Sequence, residues 1–399
     1  MPRNIVVLVD RFDGLGGIQR WANQIASEFA HRGYQVHMVG ISPPNKEHVV
    51  AYNRPESVTA WYCSANQTRT YSGVLGRTRY LVTRLPRPMR ESIDKILSGW
   101  RPNSLDGASA KRLRAKIEAI GKGSVLLCSS PVLLAYVKAT GLKVGAAHGL
   151  PVVAQYHNSF SVVAQKRRAL RSFKKLYASA DSVVFLTSED ARLARTHHIL
   201  NVTHIPNPSP SVRCSEPMEK RELIVAAVAR LDSQKSVDYL IRAWARIASQ
   251  FPAWSLRIYG DGPQLPLLRR LAARLQVEVS FEGVVDDPMS ALGEARIHAM
   301  TSQAEGWGLV VSEAAAVGTP TVAFDSGAGI RAQIIDGETG IIVPKNDLGQ
   351  LVQALEALMS EEHRLSQMGT NARAALERYH VARIIREWEE LFDAFEREP

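Results

Sequence analysis

The stretch Ser302-Gln303-Ala304-Glu305-Gly306-Trp307-Gly308-Leu309-Val310-Val311-Ser312-Glu313-Ala314-Ala315-Ala316-Val317-Gly318-Thr319-Pro320 decides how this 399-residue chain is read. Just ahead of it, Arg296 to Met300 has the apolar character of a short buried strand. The chain then turns through Gly306 and Gly308 and enters a run of small residues, Val310 to Val317, which predicts a helix ended by Gly318. Thr319-Pro320 leads into a further apolar run, Thr321 to Phe324. Strand, loop, helix, strand is the repeating unit of an α/β domain with a parallel sheet. The helix start offers free backbone N–H groups and the positive end of a dipole, which suit a phosphate. Two carboxylates flank it, Glu305 and Glu313. As anions they fit hydroxyl groups of a sugar or a ribose rather than the phosphate itself.

The rest of the second half extends this pattern. Leu223 to Val228 predicts a strand, and Val237 to Gln250 a helix. The turn between them carries Arg230 and Lys235, two cations placed to converge on a diphosphate. A strand over 254–259 runs into Gly260-Asp261-Gly262-Pro263, where glycine lets the backbone pass close to a ligand. Another strand, predicted over 277–281, leads to Val284. Asp286-Asp287 lacks the further ligands that a metal site needs. No two aspartates are spaced one residue apart.

In the first half, Ile5 to Val9 is a continuous apolar run, as expected of a parallel strand buried on both faces. Asp13-Gly14-Leu15-Gly16-Gly17 follows, then a helix to about His31 and a strand over 35–40. This opening is not the dinucleotide fingerprint, because Gln19 occupies the third glycine position. A hydride-transfer enzyme is disfavoured for that reason. Strands are also predicted over 58–62, 125–129, 151–156, 182–186 and 202–205, making a sheet of six or seven. The strand over 151–156 ends in His157-Asn158, a polar pair where parallel sheets place ligands. Lys166, Arg167, Arg168, Arg171, Lys174 and Lys175 share one side of a predicted helix, with Ala169, Leu170, Phe173 and Leu176 opposite. Residues 69–101 are basic with apolar residues interleaved, which fits either an anionic membrane surface or a solvated insertion.

Charge is divided unevenly. Residues 1–205 carry 29 Lys and Arg against 12 Asp and Glu, and the remainder carries 20 against 27. A basic face on the first half suits an anionic lipid or polymer. No stacking platform or nucleic-acid module accompanies it, so nucleic acid is not an expected partner. The three cysteines, Cys63, Cys128 and Cys214, have neither metal spacing nor a disulfide framework. With no signal-peptide core after Met1-Pro2-Arg3-Asn4 and no long apolar run, the expected location is the cytoplasm, peripheral to the inner face of a membrane. Pro206 to Ser211 is rich in turn residues, and a polar linker is read over 206–222.

Glu305, seven residues, then Glu313, with glycines beside Trp307 and Gly318-Thr319-Pro320 after, resembles the retaining nucleotide-sugar glycosyltransferases of family 4. The resemblance implies the GT-B fold, two Rossmann-like parallel-sheet domains facing a central cleft. Residues 1–205 would bind the acceptor and 223–380 the donor, with a last helix over about 381–399 packed back on the first domain. It further implies hexosyl transfer from a nucleoside diphosphate sugar, UDP-sugar ahead of GDP-sugar, to a glycan, lipid-linked or anionic polymer acceptor. Arg230 and Lys235 would hold the diphosphate in place of a metal, so neither metal nor cofactor is expected. Glu305 would hold the sugar, Glu313 the ribose, and Gly262, Val284, Gly308 and Leu309 would line the nucleotide. Gly16 and Gly17 would admit donor phosphate and acceptor, and His157 and Asn158 would face sugar and acceptor. Many relatives carry a glutamate near Arg331, and this chain departs from that pattern with Ala332. A GT-B nucleotide-sugar epimerase and a catalytically silent nucleotide-sugar-binding subunit are the competing readings.

Overall fold

The computed structural model describes residues 4–14, 16–42, 54–63 and 107–397. The basic stretch 69–101 lies outside them. Two parallel sheets organise the chain. The first contains β1 (Asn4–Val9), β2 (Gln35–Gly40), β3 (Val58–Tyr62), β4 (Ser124–Cys128), β5 (Val152–Tyr156), β6 (Ser182–Phe185) and β7 (Val202–His204), in the order β3-β2-β1-β4-β5-β6-β7. The second contains β8 (Ile224–Val228), β9 (Ser255–Tyr259), β10 (Ser280–Gly283), β11 (Ile297–Met300), β12 (Thr321–Phe324) and β13 (Gly340–Val343), in the order β10-β9-β8-β11-β12-β13. These are two Rossmann-like domains. Continuous apolar runs form the strands because helices cover both faces of each sheet, and Ile5 to Val9 are fully buried.

One strand differs from its expected place. Residues 277–281 were the predicted span, but β10 starts at Ser280. The preceding helix, Leu265–Arg274, exits through Gln276 with a φ of 54°, and Val277 donates its N–H back to Ala272. Closing that helix end uses the residues that the apolar pattern assigned to the strand.

The last helix, Val381–Arg397, belongs to the core of the first domain. Ile384, Ile385, Trp388 and Phe392 share a cluster with Ile5, Phe29 and Met38. Arg32 binds Glu389 at 2.8 Å beside it. The helix before it, Glu362–Ala375, still packs on the second domain, where Met368 joins the core and Gly369 lies against the carbonyl of Gly318. The return therefore takes place over 376–380. Among the described residues no helix is long and apolar enough to cross a membrane.

Candidate active site

Strand order reverses between β8 and β11, and loops leaving the carboxyl ends of such a pair diverge to form a crevice. Here the two loops are tied to each other. Gln303 donates its N–H to Gln234 O at 2.7 Å, Gln234 Nε2 donates to Ala304 O at 2.8 Å, and Thr301 Oγ1 donates to Ser236 O at 2.9 Å. This lacing brings Lys235 Nζ to within 2.5 Å of Glu305 Oε1, in a pair whose carboxylate side chain is only 10% exposed. Arg230 does not join them. Its side chain is 70% exposed, and its Nε donates to Asp232 Oδ2 at 2.6 Å.

The helix Leu309–Ala316 begins next to this pair. Gly308 takes a φ of 83° to turn the chain into it, and no side chain caps its first amides. Glu313 lies one turn in and is buried. Its Oε1 is ion-paired with Arg20 Nη1 from the first domain, and its Oε2 is sealed from solvent with no hydrogen-bond partner among the described residues. Burial raises the Glu313 pKa, and Arg20 opposes that rise.

In the first sheet the order reverses between β1 and β4, and the loop after β1 carries Asp13, Gly16 and the start of the helix Gly17–His31. His157 follows β5. Its Nε2 is sealed without a partner among the described residues, Trp21 packs edge-on at 4.5 Å, and burial lowers its pKa to about 3. The imidazole is therefore neutral at physiological pH. Asn158 beside it is exposed. Asp13 is 6% exposed, and its carboxylate lies close enough to Tyr62 to act on the phenol. Tyr62, stacked on Phe12 at 4.2 Å, has its pKa raised by burial first and then by Asp13.

The two halves touch at these loop ends. A Cβ on Gly306 would stand 2.1 Å from His157 O, and one on Gly17 would stand 3.3 Å from Leu309 Cδ1. Arg331 crosses the same cleft. It binds Glu189 of the first domain through Nη2 at 2.5 Å and also pairs with Asp325 of its own.

The other expected residues fall as follows. Gly262 is needed for the meeting of two loops, because a Cβ there would lie 2.4 Å from Leu231 O. Val284 follows β10 and is 47% exposed. Asp287 caps the helix Pro288–Glu294 through Met289 N and pairs with Arg213. Among the described residues no three His, Cys, Asp or Glu side chains are grouped to hold a metal ion. The helix Arg167–Tyr177 anchors itself by Phe173 and Tyr177 and leaves Lys166, Arg167, Arg168, Arg171 and Lys175 exposed, with Lys174 half-buried.

Arg20, Asp13 and Glu189 were not expected from the sequence. For Arg20 one signal was present: a cation in the first turn of a helix is disfavoured by the dipole, so its place there asks for a partner. Asp13 and Glu189 gave no local signal.

Comparison with known proteins agrees with this architecture. The profile of "Glycosyltransferase Family 4" matches residues 15–209, and that of "Glycosyl transferases group 1" matches residues 211–375. An uncharacterized glycosyltransferase of Haemophilus influenzae is 30% identical over 237 residues, which cover 58% of this chain and 67% of that protein. A poly(glycerol-phosphate) alpha-glucosyltransferase of Bacillus subtilis is 27% identical over 231 residues, 56% of this chain and 34% of its own length. The chain thus spans only part of these relatives. TarM of S. aureus, solved with fondaparinux, alpha-GlcNAc-glycerol and UDP, superposes with a TM-score of 0.75 at 15% identity, covering 98% of this chain and 99% of its own. Anabaena HepE, solved with UDP and glucose, gives 0.71 at 17% identity, covering 98% and 100%. At such identities the likeness is one of fold. Profiles, relative and fold agree, and the chain belongs to the family 4 glycosyltransferases with the GT-B fold.

Proposed function

We propose that the chain moves a hexosyl unit from a nucleoside diphosphate sugar to a hydroxyl of a glycan, a lipid-linked glycan or an anionic polymer, retaining the anomeric configuration. The observation that carries this reading is the Lys235–Glu305 pair set beside the uncapped start of the helix Leu309–Ala316. Cation and bare amides face a diphosphate, while the carboxylate faces sugar hydroxyls. Arg230, exposed and paired with Asp232, reaches for the same diphosphate as it leaves. Gly262 and Val284 border the nucleotide, and Glu313 takes its ribose. Gly16 and Gly17 let the backbone approach the donor phosphate, and Gly16, His157 and Asn158 lie on the acceptor side, where the neutral His157 orients the sugar or acceptor without carrying charge.

Among the described residues no side chain stands out as a covalent nucleophile, so reaction on one face of the sugar is favoured. The bond from the anomeric carbon to the diphosphate oxygen breaks, and the bond to the acceptor oxygen forms on the same side. The acceptor proton passes to a diphosphate oxygen. Contact of the two domains at Gly306 and His157 excludes water from that step. UDP is the favoured nucleotide, since TarM and HepE were solved with it. GDP is the second choice. The exposed cations from Lys166 to Lys175 fit a phosphate-rich acceptor or the inner face of an anionic membrane.

The test is single-turnover transfer followed by proton NMR, with and without EDTA and with a donor-only arm. Retained anomer, turnover unchanged by chelator and dependence on acceptor support the reading. An inverted product, loss in EDTA, or free altered sugar without acceptor would each remove the corresponding part.

A further inference from the structure

Arg20 is the fourth residue of the helix Gly17–His31, whose first turn carries no acidic side chain. A guanidinium there lies at the positive end of its own helix. Compensation comes from the other domain, 293 residues away, where Glu313 accepts from Arg20 Nη1. The backbones permit this because Gly17 lies against Leu309, so the two helix starts meet across the cleft. The pair is satisfied on one side only. Arg20 Nε and Glu313 Oε2 are both sealed from solvent, and among the described residues neither has a hydrogen-bond partner. A buried carboxylate oxygen without a donor is costly to leave unmet, and a hydroxyl from a bound ligand would meet it.

We propose that Arg20 is a positioning residue of the donor site, supplied by the first domain: it keeps Glu313 ionised and fixed so that Oε2 receives a hydroxyl of the donor's ribose. This rests on the nucleoside diphosphate sugar reading above. It makes capture of a donor by the second domain depend on a side chain of the first. Donor occupancy and the closed arrangement of the cleft are thereby coupled without any further contact.

The charges around Glu313 make the idea testable by pH. Burial and Asp287 push its pKa up, while Arg20 and Arg213 pull it down. Arg213 and Asp287 are paired with each other and oppose one another at Glu313. Removing Arg20 therefore raises the Glu313 pKa further. The window in which the carboxyl takes a proton and loses its charge-assisted bonds moves to higher pH.

The experiment is calorimetric titration of UDP, with GDP as second probe, into the whole protein between about pH 6 and pH 8. Wild type, Arg20→Gln, Arg20→Lys and Glu313→Gln are compared, each checked for folding by thermal melting. Arg20→Gln should bind about tenfold more weakly at the acid end and recover as pH rises. Arg20→Lys should restore the wild-type profile, and Glu313→Gln should be weakened equally at every pH. Weakening of Arg20→Gln that ignores pH would put Arg20 on the diphosphate and overturn the positioning role, as would unchanged binding. Failure of wild type to bind either nucleotide would overturn the donor reading itself, and this inference with it.

Discussion

Lys235 Nζ and Glu305 Oε1 stand 2.5 Å apart although 70 residues separate them, because β8 and β11 are neighbours where the strand order reverses. The pair makes Lys235 a structural and a functional residue at once. Lys235→Ala leaves a nearly buried carboxylate without its cation, at a cost of about 1–3 kcal/mol. Turnover should also fall by about 10²–10³, the usual effect of removing one group that stabilises developing negative charge. Arg230 is the contrast, since its side chain is 70% exposed. Arg230→Ala should change stability by less than about 0.5 kcal/mol and still lower turnover. Melting curves beside kcat/KM for the two variants separate the roles, and full turnover in Arg230→Ala would remove it from the site.

Gly306 touches the first domain so closely that a Cβ would meet His157 O at 2.1 Å and Asn158 Cα at 2.7 Å. Both obstacles are backbone and cannot rotate away. Gly306→Ala should hold the cleft open, which small-angle scattering would read as a larger radius of gyration. Opening the cleft also parts Arg20 from Glu313, so nucleotide affinity should fall by about as much as in Arg20→Gln, roughly tenfold, while transfer drops further, by about 10². An unchanged radius with full transfer would mean that this contact is dispensable.

Legibility in the sequence followed physical range. Strands buried on both faces, such as Ile5–Val9 and Thr321–Phe324, stood out as unbroken apolar runs. The loop holding Glu305 and Gly308 was legible because a turn, a helix start and a helix stop are local chemistry. What joins the domains was not. Arg20 to Glu313 and Arg331 to Glu189 span 293 and 142 residues, and no period or spacing connects such partners. In the turn that carries both cations, Arg230 pairs locally with Asp232, two residues on, while Lys235 pairs with Glu305, 70 residues on, a partner that no local spacing announces. The start of β10 was misplaced because closing a helix end overrode apolar character.

The Arg331–Glu189 bridge places Arg331, next to the departure at Ala332, across the cleft. Its side chains are 40% and 46% exposed, so the pair is worth about 0–1 kcal/mol and is screened by salt. A double-mutant cycle on Arg331→Ala and Glu189→Ala should return a coupling of about 0.2–1 kcal/mol in stability that fades at about 1 M salt. Nucleotide binding should change little. A coupling that survives high salt would show the pair to be more shielded than its exposure indicates.

Acid should destabilise the fold through histidines that the chemistry does not need charged. His298 is fully buried in β11, with Nδ1 3.0 Å from Thr321 Oγ1, no partner for Nε2 among the described residues, and a pKa lowered by burial to about 3. His157 is lowered to about 3 for the same reason. Above the usual histidine value of 6.5 neither folded nor unfolded chain binds these protons, so nothing changes with pH. Below it the unfolded chain takes them up and the folded one does not. Stability then falls towards pH 3 by up to about 1.4 kcal/mol per pH unit for each histidine. Asp190 acts the other way: burial lifts its pKa from 3.8 to about 6, so between those values the folded state holds the extra proton and offsets one histidine. Urea midpoints from about pH 7.5 to 5 should therefore drop in wild type, more shallowly in His298→Gln and more steeply in Asp190→Asn. Equal slopes in wild type and His298→Gln would show that the imidazole finds a proton inside the fold, and that burial alone does not set its charge.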